Sequence, residues 1–147
     1  MTLQGQNVLV SASGQHVRIA DLGASTRLRG QQTGAGELAG QLIGTVAFTA
    51  PEVLRGEHYG RSADMWSVGC CVLEMATARF PWDAQSADNH FALIFRVANA
   101  SAPPPIPSSV PPVLKQLALL CLCLAPDQRP TSRALLSHQL LGGSSNV

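Results

Sequence analysis

The 147 residues are 46% apolar and 13% charged, with a formal charge of +1. One domain's length with that apolar content supports a core and excludes disorder throughout. The near-neutral balance disfavours broad, counterion-releasing contact with nucleic acid or an acidic membrane. No apolar run approaches the roughly 18 to 20 residues that cross a bilayer. The start, Met1-Thr2-Leu3-Gln4-Gly5-Gln6, has neither a basic nor an apolar leader region, so a cytoplasmic location without membrane insertion is expected.

Asn7–Val10 and His16–Ala20 are short β-like runs separated by Ser11-Ala12-Ser13-Gly14-Gln15, whose glycine supplies a tight turn, and they predict a hairpin. From Asp21 to Thr49 the chain is rich in Gly, Gln, Thr and Ser and lacks periodicity, the mark of a long loop of the kind that carries function. Between Ser62 and Ala78, Met65, Trp66, Val68, Cys70, Val72, Leu73 and Met75 place apolar groups on almost every face, as in a helix enclosed by protein, with Ser62 as its N-cap. Phe91, Ile94, Phe95 and Ala98 recur at i, i+3, i+4 and i+7 and predict an amphipathic helix capped by Asp88 or Asn89.

Residues 102–112 are too proline-rich to be helical and form an extended connector. The prolines space two helices, so no SH3 partner is expected. Val113, Leu117, Leu120, Cys121 and Leu124 mark another helical face, broken by Pro126, and a last helix starts at Thr131 as N-cap. Cys70-Cys71 and Cys121-x-Cys123 match neither zinc-knuckle spacing nor a disulfide scaffold, which leaves buried free thiols as the expectation. The four histidines are scattered, with no H-E-x-x-H.

Asn7 and Asp21 stand at opposite ends of the hairpin, so both side chains can emerge at its open end and offer oxygens to a hard cation such as Mg2+. Spacing alone leaves an ordinary turn aspartate as the competing reading. The order of motifs is more specific: Asp21-Leu22-Gly23, then Gly44-Thr45-Val46-Ala47-Phe48-Thr49-Ala50-Pro51-Glu52, then Asp64-x-Trp66-Ser67-x-Gly69, and finally Arg129. This series resembles the carboxy-terminal lobe of a eukaryotic serine/threonine protein kinase, from Asn7 to about Leu141. It is most similar to the MAP kinase kinase kinase group, MEK-kinase branch, in Ala50-Pro51-Glu52-Val53-Leu54-Arg55-Gly56, Tyr59-Gly60-Arg61-Ser62 and Asn89-His90-Phe91-Ala92-Leu93-Ile94-Phe95. The resemblance implies a mainly α, kinase-like lobe with a short β-hairpin, a long activation loop and about four to six helices. A partial kinase domain would occupy residues 1–141, with its activation segment at 21–52 and a flexible tail at 142–147.

Carried over by position, Asn7 resembles the catalytic-loop asparagine that holds one Mg2+, and Asp21 the aspartate that bridges Mg2+ to the ATP phosphates. Gly23 would give the turn after Asp21 its backbone freedom, beside Leu22 in place of the more usual Phe. Glu52 and Arg129 resemble a buried ion pair tying the end of the activation segment to a distal helix, a structural role. Asp64 resembles the aspartate that accepts backbone N–H bonds from the catalytic loop. Thr33 and Thr45 match regulatory and substrate-facing threonines of the activation loop, where a phosphate would add roughly two negative charges.

The pattern departs at its start. Counting back from Asn7, the catalytic-base aspartate falls on Thr2 and the phosphate-contacting lysine on Gln4. No G-x-G-x-x-G occurs, and Gly34-Ala35-Gly36-Glu37-Leu38-Ala39-Gly40 misplaces its last glycine and lies where a kinase keeps its activation loop. Two readings follow from the resemblance. One is a partial serine/threonine kinase domain lacking its N-lobe, whose family reaction is ATP- and Mg2+-dependent phosphorylation of Ser or Thr on a downstream kinase, with kinase substrates or signalling proteins as partners; this chain alone is expected to be inactive. The other is a truncated, catalytically inactive kinase-like protein that binds partners through the Phe91–Ala98 helix and the activation-segment surface.

Overall fold

The computed structural model describes residues 2–25, 46–86 and 90–142. Two strands form one antiparallel hairpin, β1 (Val8–Val10) and β2 (Val17–Ile19), with Val8 opposite Ile19, Leu9 opposite Arg18 and Val10 opposite Val17. Its turn closes where the Ser11 N–H donates to the His16 carbonyl at 2.9 Å, and Gly14 takes the positive φ of 69° that the tight reversal requires. The strands lie within a residue of their predicted ends. Leu9, Val10, Val17 and Ile19 are nevertheless all more than half exposed.

The other elements are α1 (Pro51–Leu54), α2 (Arg61–Thr77), α3 (His90–Ala98), α4 (Pro112–Cys121) and α5 (Ser132–Leu136), joined by short 3-10 turns. This is the mainly helical architecture with one hairpin that the sequence implies. α2 is the central post: Met65, Trp66, Cys70, Cys71, Val72 and Leu73 are buried, while Met75, expected inside, is 72% exposed. It starts two residues earlier than a Ser62 cap predicts, and its N-cap is Gly60, which offers no side chain. Ser62 falls instead inside the first turn, where its carbonyl is an acceptor for Arg129.

α2 packs chiefly on α4, and Gly69 permits the contact. A Cβ there would lie 2.7 Å from Leu122 Cγ and 2.9 Å from Cys121 Cβ, closer than carbon atoms can approach. On another side α2 holds the segment before α1. The Ser67 hydroxyl donates to the Phe48 carbonyl at 2.9 Å, and Val46, Ala47 and Phe48 are sealed from solvent. The end of the stretch read as loop is therefore core, because its Val-Ala-Phe triplet is apolar enough to be drawn beneath α2; residues 26–45 lie outside the described residues.

The α3 face also differs from the expectation. Leu93 and Val97 are buried, whereas Phe91 and Phe95 are 79% and 72% exposed. Six of the seven residues from Phe91 to Val97 are apolar, so periodicity could not choose the face. Packing against α1 and the Val46–Phe48 turn does so, together with the Arg96 guanidinium, which donates to the Trp82 carbonyl at 3.0 Å. Asp88 and Asn89 lie outside the described residues. Residues 103–107 have no regular structure, as their prolines dictate, but the expected extended connector ends in a turn in which the Val110 N–H donates to the Pro107 carbonyl at 3.1 Å, and Pro104 and Val110 tuck inward. At α5 the predicted cap is present, with Thr131 Oγ1 accepting the Ala134 N–H at 3.1 Å.

α1 opens with Pro51, whose missing N–H costs nothing at the first helical position. The next residue, Glu52, is 1% exposed and faces Arg129. The guanidinium grips the carboxylate at both ends, Nη1 to Oε1 at 2.6 Å and Nη2 to Oε2 at 2.9 Å. Its remaining N–H groups donate to the carbonyls of Cys123, Ser62 and Leu124 at 2.8, 3.0 and 3.3 Å, so all five donors are used. Its plane stacks over the Trp66 ring at 5.0 Å. Removing either partner strands a buried charge, so Glu52→Gln or Arg129→Met should each cost about 3 to 5 kcal/mol, read as a lowered urea midpoint with an unchanged slope.

All four cysteines are free, three of them buried and Cys123 half-buried. Burial pushes the Cys71 thiol up to about 12 and the Cys121 thiol to about 11, and raises Cys70 well above the ordinary value of 9.0. Folding thus keeps these thiols protonated where the unfolded chain loses its protons. Their contribution is intact below the ordinary thiol value of 9.0 and is lost as pH rises through 11 and 12. At about pH 8, iodoacetamide mapped by mass spectrometry should label Cys123 first and leave Cys70, Cys71 and Cys121 until the protein unfolds.

Candidate functional site

The hairpin brings the two proposed oxygen donors to one end. Asn7 closes the 3-10 turn Gly5–Asn7, and its carbonyl accepts the Ala20 N–H at 2.8 Å. That bond sets Asn7 across from the residue immediately before Asp21. Asp21 itself sits in the left-handed region, φ 54° and ψ 60°, with its side chain exposed. A left-handed non-glycine costs on the order of 1 kcal/mol, and Asp is among the residues that tolerate it.

Gly23 was expected to carry this backbone freedom and does not. Its φ is not positive; the unusual conformation lies two residues earlier, at Asp21. A Cβ at Gly23 would be in ordinary contact, 3.5 Å, with Asp21 Oδ1, so the residue borders the carboxylate without the position requiring a glycine for space. Leu22, in place of an aromatic residue, is 60% exposed and fills no pocket among the described residues.

The segment leading into Asn7 has an anchor that sequence reasoning missed. The Gly5 N–H donates to Glu74 Oε2 on α2 at 3.1 Å, and a Cβ at position 5 would lie only 2.4 Å from that oxygen. Only glycine allows the carboxylate this close. A signal for it existed, since Glu74 is a lone charge in the otherwise apolar stretch from Met65 to Ala76. Asp64, expected to hold the same segment, occupies the first turn of α2. Its outer edge stays open to solvent, while the protein packed on its inner side desolvates the carboxyl and raises its pKa above the usual carboxylate value.

Thr2 and Gln4, at the base and lysine positions, are both half-buried. A hydroxyl and an amide supply neither a base nor a positive charge at neutral pH. Glu52 and Arg129 are joined as the motif order implies. Thr33 and Thr45 lie outside the described residues. No helix among the described residues is long and apolar enough to cross a membrane, and no cluster of three or more His, Cys, Asp or Glu capable of holding a metal occurs among them.

Comparison with known proteins supports the motif reading. The protein kinase domain family matches residues 2–141. Mitogen-activated protein kinase kinase kinase 1 of Rattus norvegicus and of Homo sapiens are each 56% identical over 136 residues, covering 92% of this chain and 9% of theirs. Mitogen-activated protein kinase kinase kinase 2 of Arabidopsis thaliana is 37% identical over 141 residues, covering 96% of this chain and 21% of its own. The chain thus spans a small part of the length of the relatives it matches.

The Gly5–Glu74 contact carries a direct expectation. Gly5→Ala forces the carboxylate away, and Glu74→Gln weakens the bond by removing its charge. Each should speed amide exchange across Gln4–Asn7, with a stability loss of about 1 to 2 kcal/mol. Unchanged exchange there in Gly5→Ala would show the anchor to be incidental.

Proposed function

Because the chain belongs to the protein kinase domain family and is a partial domain similar to mitogen-activated protein kinase kinase kinases, we propose that it supplies the metal-holding floor of a serine/threonine kinase nucleotide site. The observation that carries this reading is the Ala20-to-Asn7 hydrogen bond, which sets Asn7 beside a left-handed Asp21 at the open end of the hairpin. An amide oxygen and a carboxylate are hard donors that suit Mg2+. When bound, Mg2+ neutralises phosphate charge and orients the phosphates of ATP.

In this reading Asn7 and Asp21 are the cofactor ligands, Gly23 borders the Asp21 carboxylate, and Glu74 and Asp64 position the segment that bears Asn7. Glu52 and Arg129 fix the end of the activation segment to α2. Thr33 and Thr45 are the proposed regulatory positions. The family reaction passes the γ-phosphoryl of ATP to a Ser or Thr of a downstream kinase. Thr2 cannot take the acceptor's proton, a service worth about 10²- to 10⁴-fold, and Gln4 brings no charge to the phosphate, so the proposed site holds nucleotide without transferring phosphate at a useful rate. The proposed partners are kinase-pathway proteins in the cytoplasm.

A second reading, a non-catalytic binding module, is favoured by one observation: Phe91 and Phe95 stand on one side of α3 with most of their surface in solvent.

Isothermal calorimetry of the 147-residue chain with ATP and Mg2+ tests the first reading. Saturable, Mg2+-dependent binding should fall by about tenfold or more in Asp21→Asn, whose folding is checked by circular dichroism. No phosphate should enter a MAP kinase kinase substrate. Binding indifferent to both Mg2+ and Asp21→Asn would remove the metal site, and robust phosphorylation would overturn the silent catalytic loop.

A further inference from the structure

Beside the Glu52–Arg129 pair, the start of α2 borders a cavity of about 500 Å3 whose polar lining includes His58, Arg61, Ser62, Asp127 and Thr131. Arg129 also reaches it but offers nothing to a newcomer, since its five donors are committed to Glu52 and three carbonyls. The Thr131 hydroxyl is occupied in capping α5. Two side chains there are uncommitted: neither the Arg61 guanidinium nor the His58 imidazole has a hydrogen-bond or ion-pair partner among the described residues.

The Asp127 carboxylate lines the same cavity and is likewise unpaired among the described residues, so no ion pair links it to Arg61 across the space. A site that holds a guanidinium and a carboxylate apart suits an occupant with an anionic group for one and an N–H donor for the other. The guanidinium fork matches the oxygens of a phosphate, and a neighbouring imidazole adds a further donor. A free phosphate would fill only a fraction of such a volume. A phosphorylated side chain with its flanking backbone fills more, and brings amide or basic N–H groups to Asp127.

We propose that this cavity binds a phosphoserine or phosphothreonine presented by a peptide, with the phosphate on Arg61 and His58 and a flanking N–H donor on Asp127. The site uses neither Asn7 nor Asp21 and stands whether or not the chain binds nucleotide.

The test is fluorescence anisotropy of the 147-residue chain, without ATP, using a labelled alanine-rich peptide that carries one phosphothreonine and one lysine. The same peptide with unmodified threonine or with glutamate, and inorganic phosphate as competitor, form the other arms. Saturable binding of the phosphopeptide is expected, weaker by about tenfold or more for both unphosphorylated peptides and for Arg61→Gln. Arg61→Lys, which keeps the charge but loses the fork, should lose less. Since Arg61 has no partner among the described residues, Arg61→Gln should melt with the parent; His58→Gln provides an independent variant if it does not. Equal affinity for phosphorylated and unphosphorylated peptides, or binding indifferent to Arg61→Gln and His58→Gln, would overturn the proposal. Inorganic phosphate binding as tightly as the phosphopeptide would reduce the cavity to a free-anion site and overturn the peptide assignment.

Discussion

A single guanidinium, sealed from water, holds three parts of the chain together. Arg129 lies after α4, yet it bonds the carboxylate of α1, a carbonyl in the first turn of α2 and two carbonyls of its own loop, while its plane rests on Trp66. Desolvating such a charge is expensive, and a matched apolar replacement can be no less stable. The pair's worth is therefore in specifying arrangement: only one placement of α1 against α2 satisfies five donors at once. Trp66 bears part of the cost, because its buried indole N–H has no acceptor among the described residues.

From this pin the architecture runs along α2 toward the hairpin. The helix fastens the Val46–Phe48 turn through Ser67, fastens the end of α4 against Gly69, and through Glu74 fastens the segment that ends at Asn7. A hairpin of two three-residue strands with exposed faces has little stability of its own. Its orientation comes from the Gly5–Glu74 bond below and the Asn7–Ala20 bond at its mouth. Asn7 and Asp21 thus sit at the end of a chain of contacts that runs through α2, although neither is buried.

Local chemistry made much of this legible in the sequence. The hairpin follows from Gly14 and flanking β-branched residues, α2 from a long apolar run and α5 from Thr131, whereas the Glu52–Arg129 pairing is implied only by the resemblance to protein kinases. What could not be read was set by contacts between distant segments. The α3 face was ambiguous because nearly every residue there is apolar, and only the position of α1 and the Arg96–Trp82 bond turn Phe91 and Phe95 outward. Ser62 has the right chemistry for an N-cap, but its carbonyl is drawn to Arg129 and the helix begins before it. Gly23 invited the left-handed assignment on residue type alone, whereas the strain sits on Asp21, the residue with a proposed function. Glu74 went unnoticed because its partner is a backbone amide 69 positions away, which no spacing rule reaches.

The bare Cα of Gly69 has a consequence for how this surface can diverge. With Leu122 and Cys121 filling the space where a methyl group would project, any enlargement at 69 is tolerated only if the opposing side chains shrink in concert. Positions 69, 121 and 122 are thus sterically coupled, and a change in the volume of one alters what the other two can hold.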